Sequence, residues 1–206
     1  MDLPQCVRLC RSPAWRCWLA GLALTGSLWG CGTAATVRDD DLQSEPSVSA
    51  ADVARTTHQA ANRARTDTGL VALTWDPALA AVAQRHADDM AERRYFAHDS
   101  PEGEGLTERM ARARYRCEIV LPSGRLLTGA ENLAMIPWAP SVLVGKDGVR
   151  QAAEVRDATA VGREAVRGWL DSPGHRANLL HPHLRSEGLG VHVQKNGQVL
   201  IVQVFC

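Results

Sequence analysis

The chain of 206 residues is long enough for one ordinary domain and too short for two large ones. Hydrophobic residues make up 45% of it and charged residues 22%, a globular composition that excludes a collagen-like or charge-dominated disordered chain. Basic and acidic residues balance at 23 each, so the chain lacks a strong positive field and we expect no nucleic-acid partner.

Residues 1–31 are organised like an export signal. Three arginines precede residues 17–29, an uncharged stretch that is shorter than the roughly 20 residues of a membrane-spanning helix and matches the apolar core of a secretory signal. The sequence Leu28-Trp29-Gly30-Cys31 then resembles a bacterial lipobox, which makes Cys31 the candidate lipidated residue and the membrane a partner through that lipid. Because Trp29 replaces the usual small residue and residues 33–35 are small, ordinary cleavage and secretion remain the alternative.

The signal predicts an exported protein, anchored in the cell envelope or secreted. Gly32 stands where an aspartate often retains lipoproteins at the inner membrane, which favours the periplasm and the outer membrane. Residues 32–50 are polar, acidic and without periodicity, and they predict a flexible tether. Removal of residues 1–31 leaves 20 basic and 22 acidic residues, which disfavours nucleic-acid binding further.

Only two of the six cysteines, Cys117 and Cys206, lie in the predicted folded body. In an oxidising compartment a lone pair of cysteines is a disulfide candidate. The bond would close a loop of about 90 residues, and the chain-entropy model gives it roughly 4–5 kcal/mol of stabilisation. Two buried free thiols are the alternative.

The folded body, residues 51–206, begins with two helical patterns. Alanine-rich residues 51–68 predict the first helix. Asp76 as N-cap and Pro77 as the first helical residue predict a second helix over about 77–93.

The rest of the body mixes helices and strands. The predicted elements are a short helix at about 105–113, a strand, turn and return at 115–128, a helix at about 159–171, a helix that starts at Ser172-Pro173, and a hairpin of strands 189–194 and 198–205. The hydroxyl of Ser172 is expected to cap the helix that begins there. Residues 134–159 form an insertion, which is interpreted as a surface hairpin, as a flap over a groove, or as a segment without a functional role. This order of elements predicts a layered α+β domain.

The sequence contains no HExxH, GxSxG, P-loop, GxGxxG or CxxC motif, which weakens the corresponding enzyme classes. Its histidines differ in setting. His86 lies in the apolar stripe of the second helix and is predicted to be a hydrogen-bonded core residue, whereas His58 is expected to face solvent. His98, Glu131 and His175 lie at the edges of elements, and two histidines with one carboxylate can form an open zinc site. His175 falls in the first turn of a helix, where the helix dipole favours neutral imidazole.

An ordered series of motifs carries a family resemblance over about 150 residues. The stretches are Asn62–Arg65 with Gly69-Leu70, Leu73 with Trp75-Asp76, His86–Ala91, Tyr95–Gly103, Arg109-Met110, Gly129–Ala134, Trp169–Leu180, Gly188–Val191 and Gln203–Phe205. In this order they resemble the CAP superfamily, also called SCP-like extracellular domains, which includes cysteine-rich secretory proteins, antigen 5 and pathogenesis-related-one proteins. The resemblance is closest to the bacterial branch.

The resemblance implies a three-layer α-β-α sandwich with a central antiparallel sheet, and a groove with a His/Glu tetrad that binds a divalent cation such as zinc in some members. His98 and His175 match the two tetrad histidines and Glu131 matches the glutamate of the GENL-type motif. The other glutamate falls at Ser172, so this chain lacks it. Ser172 and Asn132 are secondary groove candidates. The sterol-binding loop motif of the family is not recognisable, and that activity is not expected here.

The candidate groove residues and the export signal are compatible with three classes of function. We favour a non-enzymatic binding module whose groove takes a divalent cation, a small ligand or an envelope component. The second class is a hydrolase, in which Glu131 orients His98 or His175 as general base and Ser172 or a metal-bound water is the nucleophile. The third is a structural or interaction lipoprotein that contacts partners through residues 134–159.

Overall fold

A computed structural model describes residues 48–138, 143–144, 150–151 and 155–206. The predicted export signal, the candidate lipidation site Cys31 and the tether up to residue 47 lie outside these ranges. All the described residues belong to one compact unit. None of its helices, over the residues described, is long and apolar enough to cross a membrane. In chain order the elements are α1 (Ala50–Asp67), β1 (Thr74–Trp75), α2 (Pro77–Arg93), α3 (Leu106–Arg112), β2 (Ile119–Val120), β3 (Leu126–Leu127), β4 (Ala130–Pro137), β5 (Leu143–Val144), β6 (Arg150–Gln151), α4 (Ala158–Asp171), α5 (Pro173–Leu179), β7 (Ser186–Val193) and β8 (Gln198–Phe205).

The first two helices begin at side-chain caps. Ser49 accepts a hydrogen bond from the backbone of α1, and Asp76 accepts two from the backbone of α2, where Pro77 is the first residue. Such caps satisfy N–H groups that have no partner inside the helix. Val48 is buried in the core, with only 4% of its surface exposed. The folded body therefore begins a few residues before the predicted boundary at residue 51.

The central sheet has the strand order β1-β7-β8-β4. The two long pairings, β7 with β8 and β4 with β8, are antiparallel, and the short β1 pairs parallel to β7. Strand β4 was not predicted from the sequence. Its first residue, Ala130, lies opposite Phe205 and its last, Pro137, lies opposite Gln198. Since β4 continues to residue 137 and α4 begins at residue 158, the insertion is shorter than the predicted range 134–159.

Helices cover both faces of the sheet and confirm the α-β-α sandwich. Helices α1, α4 and α5 pack on one face, around a core that includes Trp169, Leu189 and Ile201. Helix α2 packs on the other face with α3 beside it, around a core that includes Met90 and Val202. A core on each face gives this unit its own hydrophobic stabilisation, so it can be tested apart from the export signal.

Two glycines of β7 allow α2 to approach the sheet closely. A Cβ atom on Gly188 would lie 2.0 Å from the backbone nitrogen of Ala80, and one on Gly190 would lie 2.2 Å from the backbone of Ala83. Both distances are far shorter than van der Waals contact, so only glycine fits at these crossings.

A disulfide joins Cys117 to Cys206, with their Cα atoms 5.7 Å apart. Cys117 precedes β2, and Cys206 follows the last residue of β8. The bond therefore ties the base of the β2–β3 hairpin to the end of the central sheet.

Candidate functional site

Glu131 and Asn132 are neighbours on β4, which is an edge strand of the sheet over the described residues. Successive side chains of a strand point to opposite faces. Glu131 accordingly meets α3 on one face, and Asn132 meets α5 on the other. Because β4 lies at the edge, residues from the two helical layers can meet around it, and there the ring of His98 lies 6.3 Å from the ring of His175, centroid to centroid.

Glu131 holds His98 on the α3 side of this edge. Its Oε1 lies 2.8 Å from Nδ1 of His98, while Oε2 accepts a hydrogen bond of 2.6 Å from Nη2 of Arg109. The side chains of Glu131 and Arg109 are 4% and 3% exposed, whereas that of His98 is 54% exposed. A buried ion pair thus orients an imidazole that opens to solvent. The hydrogen bond to Glu131 raises the pKa of His98 above its ordinary value, and burial opposes that shift.

Arg109 also fixes the loop that carries His98. Its Nη1 donates to the backbone carbonyls of His98, at 2.8 Å, and Glu104, at 3.0 Å. One guanidinium therefore holds both the loop and the carboxylate that orients the ring. Its Nε has no hydrogen-bond partner among the described residues. We name the set His98, Arg109, Glu131 and His175 the histidine site.

Two asparagines position the second ring. Asn132 donates to the backbone carbonyl of His175 at 3.2 Å, and Asn178 donates to the side-chain oxygen of Asn132 and to the backbone carbonyl of Glu131, both at 3.1 Å. These bonds tie the first turns of α5 to β4. Burial lowers the pKa of His175 below its ordinary value, and the nearby His98 adds to that shift, so the neutral ring is favoured. Asn132, predicted as a groove residue, is 0% exposed and supports the site from within the core.

Ser172 is the N-cap residue of α5, as predicted, but its side chain makes no cap hydrogen bond. The hydroxyl, which was expected to cap the helix, is consequently not committed to that role. The residue is half-buried at the junction of α4 and α5.

The arrangement alters the role expected for Glu131. Both of its oxygens are engaged by the protein, so it acts as the partner of a histidine rather than as a free third ligand. A carboxylate on Nδ1 is the usual support of a metal-binding histidine, and it leaves Nε2 for the ligand. Within the ranges that the structure describes, no group of three or more His, Cys, Asp or Glu is placed to hold a metal ion. His98 and His175 supply two imidazoles, one protein ligand fewer than an ordinary open zinc site, so the remaining ligands would be water or a bound molecule.

A second His–Glu pair, which was not predicted, lies on the opposite face of the sheet. His58, expected in solvent, lies with its Nδ1 2.5 Å from Oε1 of the fully buried Glu187. Gln203 donates to the other oxygen of Glu187 and accepts a hydrogen bond from Asn132 at 3.2 Å. The expectation for His58 was wrong because sheet pairing brings a carboxylate beneath α1. His86 agrees with its prediction: it is 2% exposed and bonds the carbonyl of Ala97 at 3.0 Å.

Arg109 is the main site residue that the sequence reasoning missed. It lies three residues after Leu106 and next to Met110, on the side of α3 that packs toward the core. An arginine on the apolar side of a short helix requires a buried partner, and that requirement was the available signal. The partner, Glu131, lies 22 residues away on a strand that the sequence did not reveal.

Comparison of the chain with known protein families identifies the family to which it belongs. The model of the cysteine-rich secretory protein family, CAP, matches residues 58–205. The chain belongs to this family. It is 30% identical over 130 residues to the uncharacterized membrane protein YlbC of Bacillus subtilis (strain 168), a match that covers 63% of this chain and 29% of YlbC.

Solved structures of similar proteins agree with the fold. An extracellular protein containing an SCP domain from Bacillus anthracis matches with a TM-score of 0.53 at 26% identity, over 83% of this chain and 44% of that protein. An outer surface protein from Borrelia burgdorferi matches with a TM-score of 0.54 at 17% identity, over 76% of this chain and 93% of that one. The chain thus spans less than half of YlbC and of the Bacillus anthracis protein.

Proposed function

We propose that this CAP domain is an exported, non-enzymatic binding module whose histidine site takes a divalent cation such as zinc. The observation that carries the proposal is the approach of two imidazoles from different layers, one of them held on Nδ1 by a buried carboxylate. Imidazole nitrogen is a preferred ligand of zinc, and an open site leaves room for a small ligand or an envelope component beside the ion.

One electrostatic feature of the site, the lowered pKa of His175, supports the same assignment. Because its pKa is lowered, His175 favours the neutral form, which is the form that coordinates a cation. Arg109 pairs with Glu131 and offsets its negative charge, so this carboxylate contributes orientation of His98 rather than attraction for the cation. The raised pKa of His98 means that protons compete with the cation at this ring. Affinity should therefore rise as the pH increases through the pKa of His98.

Calorimetry with zinc tests the proposal on residues 34–206, which contain the compact unit and exclude the thiol of Cys31. Wild type should bind one ion. His98→Ala and His175→Ala should each abolish binding without unfolding the domain. Glu131→Gln should weaken it roughly 10–100-fold, as the loss of such outer partners typically does.

His192→Ala is the matched control, because His192 is a partly exposed histidine that also bonds a carboxylate, at 2.8 Å from Asp88. It lies on β7, outside the histidine site. This variant should bind zinc as wild type does. Absence of binding by wild type, or equal binding by wild type and His98→Ala, would overturn the proposal.

A hydrolase is the second candidate, favoured by the orientation of His98. A general base is commonly oriented by a carboxylate on its other ring nitrogen, and Glu131 occupies that position. Ser172, with no cap bond, or a water would be the nucleophile. Hydrolysis of p-nitrophenyl acetate should then show a pH limb near the pKa of His98 that disappears in His98→Ala. Full activity in that variant would eliminate this candidate.

We further propose that the protein is a lipoprotein of the cell envelope, attached through Cys31. The lipobox-like sequence supports this location, and the names of two similar structures describe an extracellular and an outer surface protein. Mass spectrometry of the mature protein should find an acylated N-terminus at Cys31, and Cys31→Ser should release the protein from membranes. An unmodified N-terminus further along the chain would instead support ordinary secretion.

A further inference from the structure

The β2–β3 hairpin, residues 119–127, has apolar side chains on both of its faces. Ile119 and Leu127 lie opposite each other and pack against the core of the domain. Val120 and Leu126 form the next pair, on the other face, where they are 73% and 54% exposed. An antiparallel hairpin with one buried face normally presents polar residues on the other, and this exposed aliphatic pair departs from that pattern.

A disulfide and a hydrogen-bonded turn restrain the two ends of the hairpin. The disulfide at Cys117 fixes its base to the end of the sheet. Its turn is closed by hydrogen bonds from Leu121 to Arg125 and from Gly124 to Leu121, both 2.8 Å, and Pro122 is exposed at the tip. The apolar pair thus lies on a restrained segment, which reduces the conformational entropy lost on binding.

Basic residues outnumber acidic ones in the segment that contains the exposed pair. Residues 114–127 contain three arginines and one glutamate, a net charge of +2, and all four side chains are exposed. Arg116 lies 3.7 Å from the carboxylate of Glu118, so Arg114 and Arg125 carry the excess positive charge. This local charge contrasts with the 20 basic and 22 acidic residues that remain in the chain after residue 31. Exposed aliphatic side chains on a segment of net positive charge match the boundary between acyl chains and anionic headgroups.

We propose that the hairpin is a docking surface for an anionic phospholipid membrane, with Val120 and Leu126 inserting at the interface and Arg125 contacting the headgroups. A protein strand pairing with the hairpin is the competing occupant. Strands of two residues offer too few backbone groups for such pairing, which favours the lipid surface. Membrane docking by the hairpin does not require zinc binding at the histidine site.

Vesicle co-sedimentation tests the proposal with residues 34–206, which lack the candidate lipidation site. Wild type should bind vesicles of equal parts phosphatidylglycerol and phosphatidylcholine and bind vesicles of phosphatidylcholine much more weakly. The double variant Val120→Asp/Leu126→Asp should bind the anionic vesicles at least about tenfold more weakly, because it removes apolar contact and adds negative charge. Arg125→Gln should weaken binding about fivefold.

Val71→Asp is the matched control, since Val71 is 62% exposed but lies between α1 and β1. It should bind as wild type does. Wild type that ignores anionic vesicles would overturn the proposal and leave a protein partner as the occupant. Unchanged binding by the aspartate variant would also overturn it, because the attraction would then not involve the hairpin tip. Zinc titration of the same variants should match wild type, so failure here is distinguishable from failure of the histidine site.

Discussion

Replacement of Arg109 by methionine provides a direct test of how the histidine site is built. The substitution removes a guanidinium that is 3% exposed and leaves the carboxylate of Glu131, 4% exposed, without its strongest partner. It also leaves the carbonyls of His98 and Glu104 without their donor. Breaking a buried ion pair from one side costs about 3–5 kcal/mol. For a domain of this size the thermal midpoint should fall by about 6–20 °C.

Denaturant unfolding of Arg109→Met measures this cost, and Arg112→Met is the control on the same helix. Arg112 also pairs with a carboxylate, Glu104 at 3.0 Å, but its side chain is 60% exposed, so its loss should cost less than about 1 kcal/mol. The double variant Arg109→Met/Glu131→Leu should recover part of the loss, because no buried charge remains unpaired. A loss below about 1 kcal/mol in Arg109→Met would refute the assignment of Arg109 as the organiser of the site.

Three further predictions test the scaffold. Gly190→Ala should destabilise the domain by about 1–3 kcal/mol in urea unfolding because α2 must move, whereas Gly168→Ala, in open space on α4, should be neutral or stabilising; equal effects would contradict the close crossing. Reduction of the Cys117–Cys206 bond, which has a sequence separation of 89, should lower the free energy of unfolding by roughly 4–5 kcal/mol. An unchanged urea unfolding midpoint under reductant would contradict that value. Burial lowers the pKa of His86, so the free energy of unfolding should decrease as the pH falls below 6.5, the ordinary value of the unfolded histidine. Urea unfolding at several pH values should show a shallower decrease in His86→Gln, and equal pH dependence of the two proteins would contradict this.

Local signals were sufficient for the parts of the fold that depend on local chemistry. The predicted range of α2, 77–93, is the observed one, because Asp76 and Pro77 specify its start in any context. The start of α5 follows the same logic at Ser172 and Pro173. The three-layer architecture came from the family resemblance, since no spacing in the sequence orders the strands of a sheet.

What the sequence did not reveal depends on pairing across the chain. Strand β4 contains four consecutive buried residues, 131–134, and includes the charged Glu131, so it lacks the alternation that marks a half-exposed strand. Without β4, the burial of Glu131 and its pairing with Arg109 could not be inferred. The expectation that Glu131 is a free metal ligand had the same cause, because a carboxylate at the edge of an element is taken as available until its partner is located.

The two His–Glu pairs show why pairing alone does not identify a site. Glu131 and Glu187 are both buried on strands, and each bonds Nδ1 of a histidine. On His58 the other ring nitrogen lies 3.3 Å from the amide of Asn62, which itself bonds the backbone of Leu73, so this pair joins α1 to the sheet and uses both nitrogens of the ring.

The ring of His98 differs in that second nitrogen. Its Nδ1 bonds Glu131, the residues described provide no hydrogen-bond partner for Nε2, and its side chain is more than twice as exposed as that of His58, 54% against 24%. A second imidazole, His175, approaches it from another layer of the sandwich. Buried carboxylates therefore position both His58 and His98, but of these two pairs only the one at the edge of β4 leaves a ring nitrogen open. That difference directs the search for a ligand to His98 and His175.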